Sequence, residues 1–442
     1  MPYRFQGGVH PSSYKLTYDR PIKKVFIPRK VVLPLIQHTG LPAEAVVAVG
    51  DSVKVGSVVG KATGFISSPV HASLSGKVTR IFYSPTPTLP RVLSIMVEAQ
   101  GGEEQELKLS SKRSGIDELS RDELTAMIRD AGVVGLGGAA FPSHVKLSPP
   151  KDKAIDTIMV NGAECEPYLT CDHRLMIEKS KQILKGIEII VKILGSKKVY
   201  IAIEDNKLSA IYAMSQAIKA MDPRLKTKER GPDIKVVALR TKYPQGSEKQ
   251  LIKSVLNRVV PADGLPMEVG CIVHNVGTVM AIYDAVYFKK PLIERTITIT
   301  GPCVREPMNI NIRIGTLLSD LVNIFGGFSK EPKKVVAGGP MMGVAQYTMD
   351  VPITKGTNGF LFLSKDDIDV AKEGVCIRCG KCIDVCPMRL SPTSLMNLVK
   401  KERFAEAKEL GIVNCFECGA CAYECPAKIP LLDYMKYGKA KV

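Results

Sequence analysis

The sequence predicts a multidomain chain: α/β in its middle, β on either side, and α at its C-terminal end. Three observations carry this. The 442 residues are enough for about three or four domains. Strand and helix patterns alternate from about residue 120 to about 290, the mark of an α/β unit with a mainly parallel sheet. Eight of the twelve cysteines fall into two matching runs, Cys376-x2-Cys379-x2-Cys382-x3-Cys386-Pro387 and Cys415-x2-Cys418-x2-Cys421-x3-Cys425-Pro426, joined by a segment that reads as helix.

Taken in order, residues 1–24 look irregular, with Gly7, Gly8, Pro11 and Pro21. From about 25 to 100 short apolar runs alternate with Gly turns. Val46 to Val49, Gly50-Asp51 and Ser52 to Val55 form one such unit, and Ser68 to Val78 another. These two segments resemble the halves of a biotinyl/lipoyl-type barrel-sandwich hybrid. Such carriers place a modified Lys at the central hairpin, where this chain has Val70-His71-Ala72, so no lipoyl or biotin attachment is expected and His71 reads as a turn residue. Gln100 to Arg113 reads as a linker. Ser120 is placed to cap a helix beginning Asp122-Glu123-Leu124. Strands are expected at 157–160 and 198–203, and helices at 174–194, 207–221 and 247–257. Residues 291–362 return to short strands with a helix at Leu317 to Phe325. In the connection from Ser391 to Asn414, Pro392 suits a first helical turn and Gly411 a stop. The expected domains are 1–110, 115–290, 291–362 and 363–442.

Composition narrows the class. Hydrophobic residues at 45% and charged residues at 24% describe an ordinary globular protein. No stretch approaches 18 uncharged apolar residues, so no transmembrane helix is expected. The run Ile187 to Leu194 is broken by Glu188 and Lys192. The net charge of +17 suits acidic redox partners or an anionic membrane face. Nucleic acid is not expected. Trp is absent, aromatics are 6%, and the basic residues are dispersed with no arginine-rich segment.

The cysteine runs have the two-cluster ferredoxin spacing. Three thiolates on a tight loop hold three iron corners of a [4Fe-4S] cube, and the fourth ligand comes from the other run. Cys376, Cys379, Cys382 and Cys425 are therefore assigned to one cluster, and Cys386, Cys415, Cys418 and Cys421 to the other. Disulfides would need an oxidising compartment, and no secretory signal is evident. Zinc sites show isolated C-x2-C pairs instead. Cys165, Cys171, Cys271 and Cys303 lack cluster spacing and read as buried thiols.

The α/β region opens with Gly135-Leu136-Gly137-Gly138-Ala139-Ala140-Phe141-Pro142, followed by Lys146. Glycines let backbone N–H groups approach a phosphate, and a nearby Lys adds charge. Three further segments accompany it: Asn161-Gly162-Ala163-Glu164-Cys165-Glu166-Pro167, Tyr243-Pro244-Gln245-Gly246-Ser247-Glu248, and His274-Asn275-Val276-Gly277-Thr278. Together they resemble the flavin-binding subunit of respiratory complex I, which binds FMN and NADH in one Rossmann-like domain. The resemblance implies that Gly135, Gly137, Gly138 and Lys146 hold the FMN phosphate. It implies that Asn161, Asn275 and Thr278 hold the flavin and its ribityl chain. Glu166, Glu248 and the Gly246 turn would face NAD(H), with Phe141 stacked beneath it. The chain departs from that pattern at Ala140, at Ala163, and at Leu147-Ser148-Pro149, where aromatics are expected.

The whole order resembles the C subunit of the Rnf electron-transport complex. It runs from a barrel-sandwich region through a flavin region and a β-grasp segment of the soluble-ligand-binding (SLBB) type, Ile297 to Gly327, to two cubane motifs. Phe5-x-Gly7-Gly8-x-His10-Pro11 looks like that family's N-terminal signature. The resemblance implies an NAD-facing peripheral subunit of an ion-translocating ferredoxin:NAD+ oxidoreductase, on the cytoplasmic side of the cell membrane. Its partners would be the other subunits, including a ferredoxin-like iron–sulfur subunit. Two other readings fit the same residues. One is a soluble NADH-dependent flavin/iron–sulfur reductase such as a cobalamin reductase. The other is a flavin-free cluster relay.

Overall fold

The computed structural model describes residues 5–100, 116–221, 232–369 and 372–442. The expected linker Gln100 to Arg113, and with it the expected boundary between the first two domains, lies almost wholly outside the described residues.

The N-terminal β unit is two small sheets facing each other. One is antiparallel, in the order Lys30–Pro34, Val92–Glu98, Gly76–Ser84 and Ser52–Val53; the other holds Glu44–Ala45, Val58–Lys61 and Val70–His71. His71 is not a turn residue. It ends a strand, pairs with Val58, and is buried. Burial, helped by the Lys355 charge, pushes its imidazole down to about 3. The apolar side chains Val31, Leu33, Val59, Leu74 and Ile95 continue without a break into the core of the α/β unit, so the two share one interior.

The α/β unit is a four-stranded parallel sheet in the order Asp233–Leu239, Lys198–Glu204, Thr157–Gly162 and Cys271–Asn275. Its central strands are almost continuously apolar because helices cover both faces. The opening helix Arg121–Asp130 starts on the expected cap. Ser120 Oγ accepts the Glu123 N–H at 3.2 Å while the Glu123 carboxylate accepts the Ser120 N–H at 2.8 Å. The single helix expected at 174–194 is two, Cys171–Glu178 and Ser180–Leu194. The backbone leaves helical geometry at Lys179, with φ −127° and ψ 23°. The apolar face of the second packs on Val276–Phe288.

A six-stranded mixed sheet follows, ordered Ile22–Phe26, Met308–Arg313, Glu294–Thr300, Gly359–Leu363, Lys334–Ala337 and Val344–Gln346. Its first strand comes from the N-terminal segment and pairs in parallel with Met308–Arg313. The helix expected at Leu317 to Phe325 is one turn, Leu318–Leu321. The C-terminal unit is built from short helices. The connection between the cysteine runs is two of them, Pro392–Lys400 and Phe404–Glu409, broken where Glu402 takes φ 55°. No helix among the described residues is long and apolar enough to cross a membrane.

Candidate functional site: a glycine loop beside a four-thiol cavity

The loop 135–141 is closed at its neck. Gly135 N–H donates to Phe141 O at 2.9 Å, and Val134 bridges Pro142. Its tip, Gly137, Gly138 and Ala139, is exposed. Nothing stands within 4 Å of a Cβ built on Gly138, whereas one built on Gly137 would meet Asn275 Nδ2 at 2.6 Å. Glycine at 137 therefore lets the loop lie directly on the Asn275 side chain. Three units hold the loop in place. Thr278 Oγ1 accepts the Leu136 N–H at 2.9 Å, Thr39 of the β unit donates to Ala139 O at 2.6 Å, and buried Arg295 donates to Leu136 O at 2.6 Å.

Of the other expected residues, Asn275 and Thr278 touch this loop, while Asn161, Lys146, Glu248 and Glu166 are held by other partners. Asn275 caps Val276–Phe288 by accepting the Gly277 N–H at 2.7 Å, and its amide donates to Asp172 at 2.6 Å. Asn161 ties the sheet edge to the next segment. Its amide donates to Gly246 O at 2.7 Å, and its oxygen accepts the Ala163 N–H at 3.1 Å. Lys146 is ion-paired with Glu248 at 2.5 Å and donates to Val273 O at 3.1 Å. Phe141 is half-buried. Thr278 is fully buried, so its hydroxyl positions the loop and does not line an open surface. Glu166 faces the β-grasp unit. Its carboxylate accepts the N–H groups of Met341 and Met342 at 3.1 and 2.8 Å. Burial raises it to about 7 against the opposing pull of those two donors and Lys15.

The fit to a flavin phosphate rests on three features: exposed loop backbone, a lysine just beyond it, and amide side chains at the two strand ends beside it. Sequence reasoning missed Asp172, Arg295 and Lys15. Lys15 Nζ reaches across from the N-terminal segment to the carbonyls of Glu164, Glu166 and Leu169 at 2.9, 2.8 and 2.6 Å. No local pattern marks such a residue, because its partners lie some 150 positions away.

The second half of the site is a cavity lined by Cys386, Cys415, Cys418 and Cys421 with apolar neighbours, among them Phe416, Leu432 and Met435. These are one crossed set of four. Burial pushes the Cys418 and Cys421 thiols up to about 12, with the neighbouring cysteines, Cys386 included, adding to it. Four converging sulfurs with no competing polar lining fit a cubane, whose iron holds them as thiolates. Cys382 and Cys425 of the other set lie together in the core of the C-terminal unit, with Cys376 packed against it and Cys379 exposed. Cys171, Cys271 and Cys303 are buried as expected; Cys165 is half-buried and accepts the Gly246 N–H.

The two halves touch. Tyr243 is buried and donates its hydroxyl to Cys418 O at 2.7 Å, and Gln250 donates to Pro387 O at 3.2 Å. Val9, Tyr243, Cys418 and Ala420 form an apolar knot joined by Met341, Val385 and Phe416.

Known proteins resemble this chain. The chain is 47% identical, over 99% of its length and 93% of the relative's, to the C subunit of the proton-translocating ferredoxin:NAD(+) oxidoreductase complex of Clostridium ljungdahlii. The chain belongs to the family of C subunits of ion-translocating oxidoreductase complexes. It is 40% identical to the Na(+)-translocating counterpart of Acetobacterium woodii, over 99% of this chain and 97% of that one. Residues 3–102 match the RnfC barrel sandwich hybrid domain, and 128–284 the Nuo51 FMN-binding domain. Residues 296–345 match the SLBB domain, and 368–426 the 4Fe-4S dicluster domain. An NAD+-reducing [NiFe]-hydrogenase chain shares the fold, with TM-score 0.52 and 17% identity over 76% of this chain and 68% of that one. Within this family framework, the Nuo51-type domain carries the glycine loop and the dicluster domain carries the four-thiol cavity.

Proposed function

We propose that this chain is the NAD-facing C subunit of a membrane-bound, ion-translocating ferredoxin:NAD+ oxidoreductase, docked peripherally on the cytoplasmic side. The observation that carries the reading is the direct packing of the glycine-loop unit on the four-thiol cavity through Tyr243 and Cys418. FMN held at the loop would supply hydride exchange with NAD(H), and [4Fe-4S] clusters held by the two cysteine sets would supply single-electron carriage. The chain's own residues bind and orient. The backbone of Gly135, Gly137 and Gly138 with Lys146 would cradle the phosphate; Asn161 and Asn275 would face the flavin. Glu248, Gly246 and Phe141 would border the nicotinamide. Glu166 would hold the β-grasp turn against that edge. No acid or base is assigned, because hydride transfer mainly needs positioning. No described helix spans a membrane, so ion transport falls to the partner subunits.

Lys146→Ala tests this. It removes the ammonium now paired with Glu248 and touches no cysteine. Flavin content, read by fluorescence after acid release, should fall several-fold while iron content stays at the wild-type level. Unchanged flavin would remove the loop from the binding site. Glu248→Gln should keep flavin, since an unneutralised Lys146 favours a phosphate, and should raise the NADH concentration needed for half-maximal dye reduction.

A further inference from the structure

The two cysteine runs form a structural repeat offset by 39 residues. Arg378, Gly380 and Arg389 have φ 56°, 77° and 57°, and their counterparts Glu417, Gly419 and Lys428 have 64°, 76° and 53°. The short helices Lys381–Asp384 and Ala420–Tyr423 sit at the same offset. The backbones match, and their surroundings do not. The second loop is enclosed. Ala420 is 0% exposed, and a Cβ on Gly419 would meet Met341 O at 2.9 Å. Tyr243 bonds the Cys418 carbonyl. The first loop faces outward. Val375 is 88% exposed and Ile377 68%. Cys379, Arg378 and Lys381 are also at the surface, and a Cβ on Gly380 would meet nothing within 4 Å.

We propose that the two clusters work in a fixed order, with the one held by Cys386, Cys415, Cys418 and Cys421 inside and the one held by Cys376, Cys379, Cys382 and Cys425 outside, and that the surface Val375 to Lys381 docks an acidic iron–sulfur electron-transfer protein. The order rests on the relay function proposed above; the docking surface rests on exposure and charge. Two large apolar side chains stand in water around a cysteine ligand, where a shielded contact shortens the path between metal centres. Lys372, Arg378 and Lys381 are exposed around them. Of the nearby acids, Glu373 is paired with Lys400 at 2.8 Å and Asp369 with Lys428 at 2.7 Å, which leaves Asp384 to oppose them. A chain of net charge +17 attracts an acidic partner, and the local excess of Lys372, Arg378 and Lys381 favours this patch. The electrons balance one at a time. Each passage outward oxidises the outer cluster by one electron and reduces the partner's centre by one. One NADH, oxidised to NAD+, supplies two such passages.

The test uses the anaerobic holoprotein and a small acidic [4Fe-4S] ferredoxin as probe. The double variant Arg378→Glu/Lys381→Glu should weaken ferredoxin association roughly tenfold or more and flatten its salt dependence, with iron content unchanged. The pair Lys54→Glu/Lys61→Glu on the N-terminal unit is the control. Loss of binding in the control pair and not in the loop pair moves docking to that unit and overturns the proposal, as does unaltered affinity in the loop pair. A change in self-association in place of ferredoxin binding, read by sedimentation, makes the patch a contact between copies and also overturns it. For the order, Cys379→Ser should leave one cluster that NADH still reduces, read by freeze-quench EPR. Cys418→Ser should leave one cluster that dithionite reduces and NADH reduces at least about tenfold more slowly than in the wild type. Equal NADH rates in the two variants overturn the order. If NADH reduces neither cluster in the wild type while dithionite reduces both, the relay function fails and the docking result stands on its own.

Discussion

At the residue scale, Ala140 and Gly137 show how strain and close approach shape the loop. Ala140 holds φ 52° and is buried. A left-handed backbone costs a non-glycine residue about 1–2 kcal/mol. Replacing it with Gly removes that strain but loses a buried methyl worth about 0.8 kcal/mol and adds unfolded-state freedom worth about 0.4–1 kcal/mol. The terms nearly cancel. Ala140→Gly should therefore shift the urea midpoint by less than about 1 kcal/mol equivalent, and a large change in either direction would show that this balance is wrong. Gly137→Ala is different. Its Cβ would meet Asn275 Nδ2 at 2.6 Å, pressing that amide off Asp172 and lifting the loop. Flavin retention should drop severalfold with little change in far-UV circular dichroism. The glycine loop itself was legible in the sequence. That Thr278 serves the loop from beneath, fully buried, was not, because burial of one hydroxyl depends on the packing of a whole helix.

At the element scale, the cysteine runs show where pattern reading is strong. Ligand spacing fixes local wrapping, and the fourth ligand follows from cube geometry. The cavity lined by Cys386 with Cys415, Cys418 and Cys421 matches that crossed set. Cys386→Ala should accordingly lower the EPR spin count of the cluster built on Cys415, Cys418 and Cys421 and spare the other, although Cys386 belongs to the other run. Loss confined to the cluster of its own run would falsify the crossed arrangement. Helix lengths were less legible. The periodicity of 174–194 and 391–414 is continuous, but Lys179 and Glu402 leave helical geometry. Period alone does not register a break when the residue at it is an ordinary helix former.

At the scale of the whole molecule, buried Lys355 joins three units. Its ammonium, on the β-grasp segment, donates to Ser68 Oγ and Pro69 O of the N-terminal unit at 3.1 and 2.7 Å, and to Gly132 O of the α/β unit at 2.7 Å. Burial lowers it to about 7. The unfolded chain keeps this proton up to about pH 10.4, so between about pH 7 and 10 the unfolded state binds more protons. Stability from this group therefore rises with pH across that window and is flat below it. In urea unfolding of the wild type and Lys355→Met at several pH values, the difference between their midpoints should grow in favour of the wild type from pH 7 to 9.5. A constant difference would mean that Lys355 keeps an ordinary affinity for its proton.

The sequence by itself determined the order of units, the spacing of the two cysteine runs and the glycine loop, because each depends on residue type at short, fixed spacing. Only the tertiary structure decided what surrounds them. It brought Ile22–Phe26 into the β-grasp sheet, made His71 part of a buried strand, paired Lys146 with Glu248 and turned Glu166 toward Met341 and Met342. It also enclosed one of two nearly identical cysteine loops and left the other in water. Apart from the local pairing of His71 with Val58, those outcomes depend on contacts between residues a hundred or more positions apart, where no local period or spacing reports which surfaces meet; burial and partner choice are properties of the packed whole.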